Sequence, residues 1–517
     1  MFKVKRITHR RLARRKRRIR DRLAPRRWKD QPRPMLRVGN IRYELAQRDC
    51  AITCGGIGAV HLLAQHVGLP QAIDRNIRML KRHVPYFESD HALTLAYNIL
   101  ADGSCTEDLE LLRNNEGFMD ALGAQRLPNP TTAGDFCRRF ETDDDVLRLQ
   151  ETINEVRLTV WKQQEPSFFK QAILDADGTI APTYGECKQG MDISYKGQWG
   201  YHPLLISLAN TREPLYLVNR PGNRPSHEQA DDYLNKTAAL CRRAGFQHIL
   251  VRGDTDFTQT WQLDAWDQAG DITFIFGADA GKALIGKAEA VPQTAWRRLE
   301  RPARYEVQTQ ERAKPQNVKE RIVRKRGYKN FLLEWEDVAE FTHQPHLCKQ
   351  SYRMVVLRKK IAVEQGMQRL FEQYRYFFYI TNDRVGTAEE IVFQANDRCD
   401  QENLIEQLKN GVQAMRNPLD NLHSNWAYMV MSSLAWTLKA WCGLLLPITP
   451  GRWESRHREE RHAILRMEFK RFRSLMLRIP CQIVKTGRRI IYRILSWNLW
   501  TSSLLRLAEA GYYPMRC

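Results

Sequence analysis

The sequence predicts an α/β protein: a helical N-terminal region, then a core of strands and helices interrupted by a β-rich stretch. Three observations carry this reading. Between residues 55 and 165 apolar residues recur at three- to four-residue spacing, as in His61 to Ala64 and Ala92 to Ala101, which is the period of amphipathic helices. From 168 to 220 the pattern changes to short apolar runs cut off by turns, the mark of buried strands. Between Asp254 and Glu402 lie 147 residues, far more than a strand-to-helix connection needs, and they hold further strand-like runs.

A chain of 517 residues exceeds what one compact core usually holds, so several domains are expected. Residues 1–45 read as a basic arm containing Arg14-Arg15-Lys16-Arg17-Arg18. Residues 46–165 read as a helical domain, a DNA-binding unit or a plain scaffold, in which Pro130-Thr131-Thr132 with Asp135 marks a capped helix start. Residues 166–270 form the first part of the core, with strands at Leu204 to Leu208 and Pro214 to Val218, a helix over 228–245 and a strand running into Asp254. Residues 271–385 are the β-rich insertion, with strands at Ile272 to Phe276, Ile322 to Arg324, Tyr352 to Leu357 and Tyr376 to Ile380. Residues 386–450 complete the core, and 451–517 form a basic helical region. The apolar stretch Ala427 to Ile448 approaches membrane-span length. Lys439 interrupts it and Ser432, Ser433 and Thr437 dilute it, so it is expected to be a buried helix on the sheet, with no membrane association.

Charge is concentrated at the ends. The formal net charge is +22, of which residues 1–37 supply +15 (17 Lys/Arg against Asp21 and Asp30) and residues 451–517 supply +10 (15 Lys/Arg against five Glu). The middle is therefore near −3 by difference. Basic ends on a near-neutral body point to phosphate-backbone contacts; the other reading is a solubilising arm or a transit peptide. The 11 cysteines form no zinc framework: Cys50 and Cys54 have no second Cys or His pair at finger-like spacing. With no secretory signal they read as reduced thiols in a cytosol.

Chemistry concentrates in three places. At about 100° per residue of helix, Arg398, Glu402 and Lys409 share one face of Asn396–Lys409, while Leu404, Ile405 and Leu408 read as the packed side. A carboxylate between two cations suits a metal ion beside a phosphate backbone; the bland alternative is a solvated face with helical ion pairs. Two apolar runs then end in aspartate, Ala172-Ile173-Leu174-Asp175-Ala176-Asp177-Gly178-Thr179 and His248-Ile249-Leu250-Val251-Arg252-Gly253-Asp254-Thr255-Asp256. Carboxylates at the ends of neighbouring strands converge where ligands bind in α/β sheets. Two Asp and one Glu are hard oxygen donors that select Mg²⁺ or Mn²⁺.

These motifs resemble the insertion-sequence DDE transposases, in the branch with a Tyr-Arg-Glu-Lys signature and a long insertion before the glutamate. Arg398, Glu402 and Lys409 match the signature's spacing, and Ala395 stands at the tyrosine position. Asp177 in Asp-Gly-Thr and Asp254 in Arg-Gly-Asp match the two aspartate motifs, with Asp175 the alternative first ligand and Asp256 a weaker rival to Asp254. The likeness runs from about residue 45 to about residue 445. It implies an RNase H-like core with a β-rich insertion domain, and Asp177, Asp254 and Glu402 as catalytic residues binding two Mg²⁺ (or Mn²⁺). It further implies transposon-end inverted repeats and target DNA as partners, a homodimer on DNA, and a cytoplasmic, nucleoid-associated bacterial location. Arg398 and Lys409, with Arg14, Arg15, Arg17 and Arg18 of the arm, are the expected DNA contacts. Around Arg297, Arg298, Arg301 and Arg304, Trp296 and Trp335 are candidates for stacking on an extruded base, or else core tryptophans.

Two other motifs compete. Asp175-Ala176-Asp177-Gly178-Thr179 also fits the nucleophile pattern of haloacid-dehalogenase-type phosphatases, but that reading leaves the basic ends and the Arg-Glu-Lys helix unexplained. Gly277-Ala278-Asp279-Ala280-Gly281-Lys282 is one residue short of a phosphate loop, and its aspartate would repel the phosphate. A DNA-binding relic with a broken acidic triad is the remaining alternative to an active enzyme.

Overall fold

The computed structural model describes residues 10–14, 16–18, 20–21, 50–83, 85–185, 188–301, 318–365, 368–487 and 489–511. After a short strand β1 (Cys50–Ile52), the apolar spacing of 55–165 resolves into helices α1 (Ile57–His66), α2 (Leu69–Asn76), α3 (Glu88–Leu100), α4 (Leu109–Arg113), α5 (Glu116–Leu122), α6 (Pro130–Cys137) and α7 (Asp143–Trp161). The cap of α6 lies one residue before the expected start: Asn129 accepts from the Thr132 N–H at 2.7 Å. Pro130 follows where a helix leaves its N–H unused. Thr142 and Asp145 close a capping box on α7.

The chain then enters the sheet through β2 (Gln171–Gly178). A small three-stranded sheet, β3 (Ala181–Pro182), β4 (Asp192–Ile193) and β5 (Trp199–Tyr201), interrupts before β6 (Leu204–Leu208) and β7 (Glu213–Val218). Helix α8 (Ala230–Ala244) carries the chain back to β8 (His248–Gly253), which lies parallel to β2. Helix α9 (Leu263–Gln268) leads to β9 (Ile272–Ala278), parallel to β8. Every residue of β6 and β7 is buried, as expected of strands covered on both faces.

Beyond β9 come α10 (Lys282–Glu289), β10 (Arg297–Arg298), α11 (Val318–Lys325) and three long strands, β11 (Lys329–His343), β12 (Tyr352–Gln365) and β13 (Gln368–Thr381). They make no sheet of their own. β13 pairs with β9 over Phe378–Thr381, giving one mixed sheet of nine described strands in the order β10-β11-β12-β13-β9-β8-β2-β6-β7. The strand expected at Ile322 to Arg324 is instead the helix α11. Two β-branched residues are outweighed there by flanking Lys, Glu and Arg, strong helix formers, and by the four-residue spacing of Val318 and Ile322.

Helices α12 (Ala388–Asp397) and α13 (Cys399–Glu406) return the chain to the sheet, followed by α14 (Leu422–Leu444). α14 packs against β7, α3 and α7 and buries Trp426, Trp436 and Trp441. Several buried polar groups in and around it are paired within the fold. Lys439 Nζ donates to the Leu465 carbonyl at 2.9 Å and lies 3.7 Å from the Trp436 ring centroid, and burial pushes its pKa far down. Trp441 Nε1 and Trp161 Nε1 donate to the two oxygens of fully buried Glu213, at 2.9 and 3.0 Å, and Arg157 Nε adds a third bond at 3.0 Å. No helix among the described residues is long and apolar enough to cross a membrane.

Helices α15 (Glu454–Arg466), α16 (Phe469–Phe472) and α17 (Thr501–Ala510) and the hairpin β14 (Cys481–Thr486) with β15 (Arg489–Ile494) complete the chain. β14 pairs with β1, which ties the two ends together. The arm also meets this region: Leu12 lines a cavity with α15 and α17, and Lys16 Nζ lies 5.2 Å from the Trp497 ring centroid.

Candidate active site

The parallel pairing of β2 and β8 places Asp175 opposite Arg252, so the strands end side by side. Asp177 is the penultimate residue of β2 and Asp254 directly follows β8. A glycine stands at both ends, with no room for a side chain at Gly253 and little at Gly178. A Cβ on Gly178 would lie 3.0 Å from His202 Nε2, and one on Gly253 would lie 2.6 Å from the Phe257 Cβ. The Asp-Gly and Arg-Gly-Asp motifs are therefore steric as well as chemical.

Over these strand ends sits the junction of α12 and α13. Gln401 faces inward and is buried, donating to the carbonyls of Asp175 and Leu205 at 3.3 and 3.2 Å. This docks α13 onto the sheet and leaves its neighbour Glu402 exposed. Arg398, at the break between the helices, reaches both aspartates: Nη1 is 3.3 Å from Asp177 Oδ2 and Nη2 is 3.9 Å from Asp254 Oδ2.

The electrostatics reflect crowding. Burial pushes the Asp177 carboxyl up to about 7; Asp254 and Glu402 add to the rise, while Arg398 and the Gly178 N–H oppose it. Asp254 is also raised, first by burial and then by Asp256, against Arg398. Asp254 Oδ1 accepts from the Asp256 N–H at 3.0 Å, and Asp256 itself is exposed.

Asp175 is placed differently. Its carboxylate is buried and bound twice by Arg252, at 2.7 and 2.8 Å, and Arg252 also donates to the Gln394 carbonyl at 2.7 Å. Both oxygens are engaged in tying β2 to β8 and α12.

The single helical face expected for Arg398, Glu402 and Lys409 is broken. Arg398 lies between two helices, and Lys409 lies in a wide π-turn, Gln407–Gly411, beyond the helix that carries Glu402. Lys409 still feels Asp177: burial and Lys196 lower its pKa, while Glu406 and Asp177 oppose the fall. Trp296 and Trp335 are already occupied. The Arg358 guanidinium lies 3.9 Å from the Trp296 ring centroid, and that of Arg298 lies 4.4 Å from Trp335. Arg14, Arg17 and Arg18 are exposed on the arm, whereas Arg15 and Arg304 lie outside the described residues.

Sequence reasoning missed the clamp residue Gln401 and the buried His202, whose ring lies against Gly178. Gln401 carries a faint signal, a polar residue on the apolar side of α13. His202 carries none.

The donors suit a hard cation. A buried carboxylate lifted by two neighbouring carboxylates is a site short of positive charge, and only oxygens are offered. Among the described residues no three His, Cys, Asp or Glu are grouped closely enough to hold a metal ion as they stand, and Arg398 bridges the two aspartates.

No curated protein matches the chain. Among solved structures it is similar to the piggyBac transposase in a synaptic complex with hairpin DNA, at 11% identity and a TM-score of 0.33, covering 82% of this chain and 84% of that one. Residues 52–510 match the family described as Transposase DDE domain group 1, and the chain belongs to that family.

Proposed function

We propose that the protein is an insertion-sequence transposase that cleaves transposon ends and joins them to target DNA. The observation that carries this is the meeting of Asp177 and Asp254 under Arg398, with the charge of Glu402 reaching Asp177. The first carboxylate on β2 and the second on its parallel neighbour β8 support an RNase H-like core.

Asp177, Asp254 and Glu402 would hold two Mg²⁺ or Mn²⁺ ions, with Asp175 left to its bond with Arg252. When bound, such ions activate water or a 3′-hydroxyl and stabilise the leaving oxygen of a phosphodiester. The chain's own groups position the DNA. Arg398, at the helix junction, exchanges its aspartate partners for the phosphate at the cleavage point. Lys409 holds the next phosphate, and its partly buried ammonium is poorly hydrated and gains by pairing. Arg14, Arg15, Arg17 and Arg18 bind the backbone farther out. Two such chains act on two ends as a homodimer at the bacterial nucleoid.

The test is cleavage of a labelled transposon end in Mg²⁺, with a gel shift in Ca²⁺ as the binding control. Glu402→Gln should lose cleavage and keep binding. Lys409→Ala should weaken both. Binding without cleavage by the wild-type chain would favour the relic reading, in which Arg398 keeps the aspartates closed.

A further inference from the structure

In the basic arm, residues 10–14, 16–18 and 20–21 are helical, and one face of that helix rests on the C-terminal helices. Leu12 lines a cavity of about 460 Å³ together with His457 of α15 and Leu505 of α17. One turn on, Lys16 Nζ lies 5.2 Å from the Trp497 ring centroid. Leu12 and Lys16 are half-buried, while Arg10, Arg11, Arg14, Arg17 and Arg18 are exposed. At about 100° per residue, Arg10, Arg14 and Arg17 lie within about 40° of the direction opposite Leu12. The seat itself is braced by Glu460 of α15, which pairs with Arg506 of α17, accepts from Ser503 Oγ at 2.9 Å and meets Arg456 Nε at 3.0 Å. An isolated helix as short as this arm is marginal in water. Arg10 with Arg14, and Arg14 with Arg18, add like charges four residues apart, which oppose it further. The seat supplies what the arm's own sequence lacks, an apolar contact at Leu12 and a ring for the Lys16 cation.

We propose, resting on the reading of the arm as a DNA contact, that α15, α17 and Trp497 hold the arm as a preformed helix and so set how strongly it grips the backbone of duplex DNA. Leu12, Lys16 and Trp497 are positioning residues on the body side. Arg10, Arg14 and Arg17 form the outward rail that meets phosphates. A disordered basic tail pays its ordering entropy each time it binds, whereas a seated helix is ordered beforehand. The rail reads charge and spacing rather than bases, so its grip is independent of sequence. The two basic ends of the chain then have different tasks. Arginines of α15 are already engaged, Arg456 with Glu460 and Arg458 with Glu165 and Glu454, so this part of the C-terminal region contributes support while the arm contributes free charge.

The experiment uses the full chain and a duplex carrying the transposon end, titrated in Ca²⁺ at several salt concentrations. Amide hydrogen exchange across residues 10–21 is read separately, without DNA. Leu12→Gln keeps the charge and the helix propensity but removes the apolar contact, and Trp497→Ala removes the ring. Each should speed exchange across the arm and weaken DNA binding about three- to tenfold, with the log–log salt slope unchanged. Leu12→Met, which keeps an apolar side chain of similar volume, should match wild type. Arg14→Gln should do the reverse of Leu12→Gln, leaving exchange slow and lowering the slope by about 0.9. Exchange as fast in wild type as in Leu12→Gln would overturn the seat. Faster exchange with undiminished affinity would overturn its role in binding, and tighter binding by Leu12→Gln would overturn it in the opposite sense, with the seat holding the arm back from DNA. If the wild-type chain shows no salt-dependent binding while its arm stays protected, the reading of the arm as a DNA contact falls and takes the proposal with it.

Discussion

Arg398 Nη1 stands 3.3 Å from Asp177 Oδ2, in the place where a cation shared with Asp254 would sit. One side chain thus offsets part of the charge of the two aspartates, and under the proposed function it would turn away when metal and DNA bind. Its position at the junction of α12 and α13 sets it beside both aspartates.

Replacing Arg398 should therefore separate metal binding from catalysis. Arg398→Met removes a charge within a few ångströms of both aspartates, an interaction of order a few kcal/mol at an effective dielectric near 20. Mn²⁺ should bind the DNA-free variant at least about tenfold more tightly in a titration followed by electron paramagnetic resonance. Cleavage should fall, because the phosphate loses its partner. Unchanged Mn²⁺ affinity would mean that Arg398 does not compete for the site.

Asp177 weakens the fold that carries it. Its carboxyl titrates near 7 when folded against an ordinary value of 3.8, so the stability it contributes is full below pH 4 and is lost as pH rises through 7. At pH 8 the penalty is roughly 4 kcal/mol. Without divalent ions, Asp177→Asn should melt several degrees above wild type at pH 8 and match it near pH 4. Mg²⁺ should raise the wild-type melting temperature and leave the variant unmoved; equal responses would remove Asp177 from the metal site.

Asp175 should behave in the opposite sense. Asp175→Asn leaves the buried Arg252 guanidinium with no carboxylate to pair with, a loss of about 3–5 kcal/mol. Urea unfolding should show this as a lower midpoint at unchanged slope. A variant of wild-type stability that no longer cleaves would make Asp175 the ligand.

Acid should loosen the helical region through His91. Burial lowers this imidazole to about 4, with Glu88 opposing and Arg139 assisting, and the ring stacks on Phe136 at 4.3 Å. Below the unfolded value of 6.5, the unfolded chain takes a proton that the folded chain refuses, so stability falls between pH 6.5 and 4 by about 3 kcal/mol. His91→Phe should remove most of that acid sensitivity when urea midpoints at pH 7 and pH 4.5 are compared. A variant as acid-sensitive as wild type would place the sensitivity elsewhere.

Strand-level features were legible where local pattern decides them. The apolar runs ending at Asp177 and Asp254 became β2 and β8, and the continuous burial of 204–208 and 213–218 follows from runs with few polar residues. What local pattern cannot see is a partner far along the chain. Asp175 and Asp177 share a strand face and look alike until Arg252, 77 residues on, takes one of them. The π-turn at Gln407 has no spacing signature, so an ideal helix could not show that Lys409 lies in it.

The sheet of nine described strands also fixes when the proposed cutting centre can form. Its three carboxylates come from positions 177, 254 and 402, and the helix that seals the core ends at 444. At roughly 5–20 residues per second of synthesis, some tens of seconds separate the emergence of Asp177 from that of Glu402. During that interval β9 lacks its neighbour β13, and the aspartates lack the α12–α13 junction with Arg398 and Gln401. Under the proposed function, a ribosome stalled before residue 400 therefore releases a chain with no cutting centre, and the centre forms only once the chain through α14 has been made.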